Sequence, residues 1–180
     1  MLYTDINFKD KSIYSTYKRI QYEAIITKPA LGTRVYNKTR DTVSIVTEEK
    51  PYLITGPANE RYVVDSDFIR DHYIIPPEYD TNPKFKKKYD KKLNSSKGVT
   101  LKSVENDTPF YAVKIPEDQI FFIYDEYGEK QQGNFLNPSV NHDGGDYAVC
   151  HRAKTGGPDF DRMFVVNGEL FSKTYKKFGV

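Results

Sequence analysis

Arg61-Tyr62-Val63-Val64-Asp65-Ser66-Asp67-Phe68-Ile69-Arg70-Asp71-His72-Tyr73 and Met163-Phe164-Val165-Val166-Asn167-Gly168-Glu169-Leu170-Phe171-Ser172-Lys173-Thr174-Tyr175 are two versions of one passage. Each opens with a strand-forming run that closes on Val-Val, crosses a polar break, and runs through a short helix-forming segment to a tyrosine. Val64 and Tyr73 stand nine residues apart, as do Val166 and Tyr175, with Phe68 or Phe171 between them. Upstream, Lys50-Pro51-Tyr52-Leu53-Ile54 is answered by Gly145-Asp146-Tyr147-Ala148-Val149. Further upstream, Tyr22-Glu23-Ala24-Ile25 is answered by Phe110-Tyr111-Ala112-Val113. Similar segments in the same order at matched spacing mark an internal duplication.

In the first half, Ile20 to Thr27, Arg34-Val35-Tyr36, Thr42 to Val46 and Tyr52 to Thr55 are short strand-like runs divided by charged or Gly/Pro-containing turns. Gly56-Pro57-Ala58-Asn59 reads as a hairpin turn into Arg61 to Val64. Asp65 offers an N-cap to a short helix that Pro76-Pro77 stops. The predicted fold class is mainly β with short helices: two tandem small β-barrel or β-sheet modules, each ending in a short helix, with one merged sheet as the alternative. The predicted boundaries are residues 1–77 and 103–180 for the modules and 78–102 for a basic linker. Lys84, Lys86, Lys87, Lys88, Lys91, Lys92 and Lys97, with Asn94-Ser95-Ser96 and Gly98, give that linker its character. It reads as a solvated, protease-sensitive connector, or as an arm that meets phosphates.

Composition narrows the partners. Aromatic residues reach 14% with no Trp, which favours strands. The 27 Lys+Arg against 25 Asp+Glu leave a net charge of +2, too small to imply a nucleic-acid or membrane partner by itself. The single cysteine, Cys150, excludes an internal disulfide and a Cys-based zinc cluster. No signal-like apolar run opens the chain and none reaches membrane-spanning length, so the expected location is cytoplasmic.

The Gly145-Asp146-Tyr147 strand start, the hairpin, the Val-Val strand and the Phe171-to-Thr174-Tyr175 ending resemble the PGDYG family of small phage-encoded proteins. The first copy departs from that pattern, with Lys50-Pro51 for Gly-Asp and His72-Tyr73 for Thr-Tyr. The resemblance implies a phage context, with the host cytosol as location, and carries no activity or site residues.

No catalytic set assembles in sequence. His142 and Asp143, followed by Gly144-Gly145-Asp146 and then His151-Arg152, are the densest polar cluster and would serve a metal-assisted hydrolase. Consecutive residues face opposite ways on a strand, however, and Asp-Gly-Gly is turn chemistry. Cys150 sits in an apolar alternation as a core or half-buried residue, and Gly156-Gly157-Pro158 lacks the Gly-Lys-Ser/Thr ending of a phosphate loop. Basic residues beside aromatics recur, which suits stackable anions: Tyr17-Lys18-Arg19, Arg34-Val35-Tyr36, Arg61-Tyr62 and His151-Arg152, with Arg162 joining Arg34, Arg61 and Arg152 near an expected cleft between the halves.

The expected function is therefore a non-enzymatic, phage-type binding protein. It sequesters a small phosphate-bearing, nucleotide-like ligand where the halves meet, or inhibits a host protein. Arg34, Tyr36, Arg61, Tyr62, His142, His151, Arg152 and Arg162 are the candidate ligand contacts, with no catalytic residue, metal or cofactor assigned. The alternatives are a nucleic-acid-binding accessory protein using Lys84 to Lys97 and the hydrolase using His142, Asp143 and His151. An oligomer is compatible with each.

Overall fold

The computed structural model describes residues 10–37, 42–115, 121–124, 130–133 and 145–179. A single 3-10 turn (Lys11–Ile13) precedes β1 (Ser15–Arg19), β2 (Glu23–Thr27), β3 (Arg34–Asn37), β4 (Thr42–Ile45), β5 (Tyr52–Thr55), β6 (Arg61–Val64) and α1 (Ser66–His72). Then come α2 (Glu78–Thr81), α3 (Pro83–Leu93), β7 (Val99–Lys102), β8 (Asn106–Lys114), β9 (Phe121–Tyr124) and β10 (Lys130–Gly133). The chain ends in β11 (Tyr147–Arg152), β12 (Pro158–Val166), α4 (Gly168–Thr174) and β13 (Tyr175–Lys177). With 43% strand and 23% helix the fold is mainly β, and its sheets are open rather than closed into barrels.

Two compact units divide the chain: Gln21–Glu105, and a discontinuous unit of Met1–Ile20 with Asn106–Val180. The first holds a four-stranded antiparallel sheet, β6-β5-β2-β7, and the second a five-stranded one, β12-β11-β8-β1-β13. Side chains alternate across each strand, so each sheet has two faces to cover. In the Gln21–Glu105 unit, Ile54 faces a core made with Ala24, Ile26, Ile69, Tyr73 and Leu101. Its neighbour Leu53 faces the other way, onto Val35 and Val46 around the β3–β4 hairpin. In the discontinuous unit, Val149 packs with Phe110, Ala112, Val166, Phe171 and Tyr175. There Ala148 and Cys150 turn to the opposite face with Ile115 and Met163.

The hairpins that end the two copies match in register. Tyr52 pairs with Val64 as Tyr147 pairs with Val166. Both helices are N-capped from the equivalent position: Asp65 accepts from the Phe68 N–H at 2.8 Å, and Asn167 accepts from the Glu169 and Leu170 N–H groups at 3.0 and 3.2 Å. The opening strands match with a two-residue offset from the sequence alignment. Ile26 lies opposite Ile54 while Ala112 lies opposite Val149, so Ala112 answers Ile26 and Phe110 answers Ala24. A shift of two preserves the face, which is why the apolar pattern reads equally well in either alignment.

The first strand of each copy is exchanged. In chain order β1 precedes β2 as β7 precedes β8, yet β1 pairs with β8 and β7 pairs with β2. Tyr17 meets Phe110 as Leu101 meets Ala24. At the far end of the same strands, Arg19 meets Tyr175 as Ser103 meets Tyr73. The repeat is thus complete in order, β1-β2-β3-β4-β5-β6-α1 against β7-β8-β9-β10-β11-β12-α4, but each sheet is finished by a strand from the other copy. The unit boundaries fall at Ile20/Gln21 and Glu105/Asn106, in the short connections that follow the exchanged strands.

Residues 78–102 are not the solvated linker expected from composition. Phe85, Tyr89 and Leu93 recur every four residues and form one stripe of α3. Tyr89 and Leu93 are buried in the Gln21–Glu105 core with Tyr79 and Phe85 packed against it, and β7 completes that unit's sheet. The lysines occupy the remaining surface of the helix and do not prevent burial of the stripe. Gly98 leads into β7 with φ +64°, and a Cβ there would run into the Ile26 carbonyl and the Thr27 methyl. Gly98→Ala is expected to cost about 1–3 kcal/mol, measured as a lower denaturation midpoint. Hydrogen-exchange protection should fall first in β2 and β7.

Candidate functional site

A concavity lies within the Gln21–Glu105 unit, under α1, α2 and α3. Asn82 caps α3 by accepting from the Lys84 and Phe85 N–H groups at 3.1 and 3.2 Å, with Pro83 as the first helical residue. The Tyr79 hydroxyl donates to the Asp90 carboxylate at 2.9 Å and ties α2 to α3. Arg70 spans α1 to α2 by donating from both terminal nitrogens to the two carboxylate oxygens of Asp80, at 3.3 and 3.2 Å. Beneath these ties is a cavity of about 60 Å³ lined by Ile26, Tyr52, Ile69, Tyr79, Tyr89 and Leu101, to which Ser66 and the half-exposed Arg70 add polar groups. Burial first, then Asp90, pushes the Tyr79 hydroxyl up to about 12, and burial raises Tyr89 to about 12 as well. Both therefore act as neutral hydrogen-bonding groups at physiological pH. The Arg70 guanidinium, with a smaller contribution from Lys86, holds the exposed Asp80 carboxyl below its usual range against the raising effect of desolvation.

The equivalent face of the discontinuous unit is filled instead. Phe171 stacks on Tyr147 at 3.8 Å and on Tyr175 at 4.7 Å, with Tyr17 edge-on to Phe171 at 4.9 Å. Arg19 lies over the Phe110 and Tyr175 rings at 5.3 and 5.4 Å, and its guanidinium donates to the Tyr175 hydroxyl at 2.9 Å. Tyr17, Phe110 and Phe171 stand where Leu101, Ala24 and Ile69 stand in the other unit. Three rings thus stand where the Gln21–Glu105 unit has three smaller side chains.

The predicted contacts are not brought together within either unit. Arg34 and Tyr36 share the outward side of β3, both exposed. Arg61 is exposed on β6, while Tyr62 turns to the opposite face, its hydroxyl 3.3 Å from that of Tyr73 and its ring edge-on to Phe68. Tyr62 is therefore part of the α1 packing. His151 sits between Phe110 and Phe164, at ring separations of 5.3 and 5.4 Å. Arg152 projects to the other side of β11. Arg162 donates to Asp159 at 2.8 Å and to the Arg152 carbonyl at 3.0 Å, bracing the irregularity between Cys150 and His151. His142 and Asp143 lie outside the described residues. Among the described residues no group of three or more His, Cys, Asp or Glu is placed to hold a metal ion. Cys150 is fully buried, and its thiol is pushed up to about 12 chiefly by burial, so it is not poised as a nucleophile.

Sequence reasoning misses two groups. Arg70 and Asp80 meet only because α2 folds back on α1, and no spacing rule relates them. Asp146 is buried at the start of β11, where desolvation pushes its carboxyl up to about 7 against the lowering effect of the Gly168 N–H. In the sequence Asp146 reads as part of the Gly145-Asp146-Tyr147 strand start, and nothing there signals a buried acid. Among the described residues no helix is long and apolar enough to cross a membrane. No family model, curated protein or solved structure matches the chain.

Proposed function

We propose that the chain is a non-enzymatic binding protein that takes a small anionic molecule into the cavity of the Gln21–Glu105 unit. The observation that carries this reading is the contrast between the copies: the same face is packed solid with rings in one and left hollow beside a guanidinium in the other. Small-molecule sites are concave, mostly apolar, and oriented by a few polar groups. The phage-type setting drawn from the Gly145-Asp146-Tyr147 resemblance fits sequestration of such a molecule, or inhibition of a host factor. Native mass spectrometry of the freshly purified chain is the test. A small anion carried through purification and absent from Ile69→Phe, which fills the cavity, supports the reading. A bare mass, with no melting shift from any anion tried, overturns it, and conversion of a bound anion overturns the non-enzymatic part.

One observation favours a second reading, nucleic-acid binding. Lys84, Lys88 and Lys91 recur at i, i+4 and i+7 on α3 and are exposed, on the side away from the buried stripe. Under this reading polynucleotide affinity falls linearly in log–log form with salt. Replacing the three by Ala should make that slope shallower by about one for each phosphate no longer engaged. The melting temperature should stay unchanged, because these side chains cover no core. Affinity independent of salt would exclude this reading.

A further inference from the structure

Building on that cavity as a binding site, we infer that the anion is a free carboxylic acid with a short apolar tail, its carboxylate on Arg70 and its tail between Ile69, Leu101, Tyr52 and Tyr89. Three features point there. The Asp80 carboxylate already shows the Arg70 fork in two-point contact with a carboxylate, at 3.2 and 3.3 Å. That is the planar match in which guanidinium excels. Both partners are largely exposed, so the pair contributes little and a ligand can replace Asp80 at small cost. Lys86, whose ammonium lies 5.4 Å from the centre of the Tyr79 ring, keeps the same region cationic once Asp80 is displaced.

The tail follows from volume and lining. About 60 Å³ of space has room for roughly four to six non-hydrogen atoms. That suits a linear or branched tail of a few carbons and is too small for a purine or a long fatty chain. The walls are aliphatic and aromatic, and the nearby Asp90 carboxylate is already engaged by Tyr79, so nothing in the lining calls for a polar tail.

Titration calorimetry and melting shifts on the full chain test this with butanoate, pentanoate, 4-methylpentanoate and dodecanoate, and with pentan-1-ol as the uncharged tail. The expected result is saturable binding of the five- and six-carbon acids, with dodecanoate and pentan-1-ol weaker by about tenfold or more. Arg70→Ala should abolish the preference for acid over alcohol, and Ile69→Phe should abolish both. Asp80→Asn, which frees the fork, should tighten acid binding severalfold, a gain that a misfolded variant cannot produce. Equal binding of pentanoate and pentan-1-ol, both lost in Ile69→Phe, overturns the carboxylate assignment and leaves the cavity as a binding site. Binding of inorganic phosphate in place of the acids, blocked in Arg70→Ala, likewise overturns the carboxylate while keeping an anion site. No response to acid, alcohol or phosphate overturns both readings.

Discussion

Tyr17→Pro in β1 is expected to melt the Asn106–Val180 part of the discontinuous unit while leaving the neighbouring sequence from Gln21 onward folded. β1 lies between β8 and β13, so proline there removes a ladder donor from an interior strand and also deletes the ring packed on Tyr147 and Phe171. The cost should be about 3 kcal/mol or more. Hydrogen exchange locates the damage: protection should fall in β8, β11, β12 and α4 and persist in β2, β5 and β6. Leu101→Ala is the reciprocal experiment, opening a buried site against Ala24 and Ile26 at a cost of about 2–5 kcal/mol with the loss confined to the Gln21–Glu105 unit. Were β1 paired with its sequence neighbour β2, Tyr17→Pro would instead expose β2 and β5. That pattern of exchange would remove the strand swap from the fold.

Asp146→Asn should stabilise the protein above neutral pH and leave it unchanged in acid. Burial raises the folded carboxyl from an ordinary 3.8 to about 7. Below about pH 4 both folded and unfolded chains hold the proton, and the site costs nothing. Between there and about pH 7 the unfolded chain releases its proton while the folded chain retains it, so stability declines with rising pH. Above about 7 the full cost applies, at most roughly 4 kcal/mol from the separation of the two values. Asn keeps the shape and an oxygen for the Gly168 N–H but has no proton to lose. Urea midpoints of the two proteins should therefore coincide near pH 4 and separate progressively to pH 8. Midpoints that stay parallel across that range would mean that Asp146 does not titrate as a buried acid.

The duplication was legible because its signal is local. Tyr52 to Val64 and Tyr147 to Val166 are hairpins whose strand character and register follow from nearby residues, and the capped helices follow within one turn. The stripe Phe85, Tyr89, Leu93 is equally present in the sequence, but seven lysines between 84 and 97 dominate the composition of the segment, which carries no information on periodicity. The site was far less legible. Arg34, Arg61, Arg152 and Arg162 are all exposed, and charge next to an aromatic residue in sequence says little about convergence, because neighbours on a strand face opposite ways.

The amino-acid sequence by itself determined the β-rich class, the repeat, the terminal hairpin-plus-helix of each copy and the burial of Cys150, since each depends on periodicity or on contacts a few residues apart. Only the tertiary structure decided which sheet each first strand completes. Ser15–Arg19 and Val99–Lys102 offer either opening strand the same backbone ladder, and the choice rests on side chains outside the strands, Tyr17 against the distant Phe171 and Leu101 in one core with Leu93 and Tyr89. It also decided the cavity, because the space left depends on what Ile26, Ile69 and Leu101 sum to beneath α2 and α3, and the filling on what Tyr17, Phe110 and Phe171 sum to in the other unit. Those trios are assembled from three separate elements in each unit, so no window of sequence contains the sum.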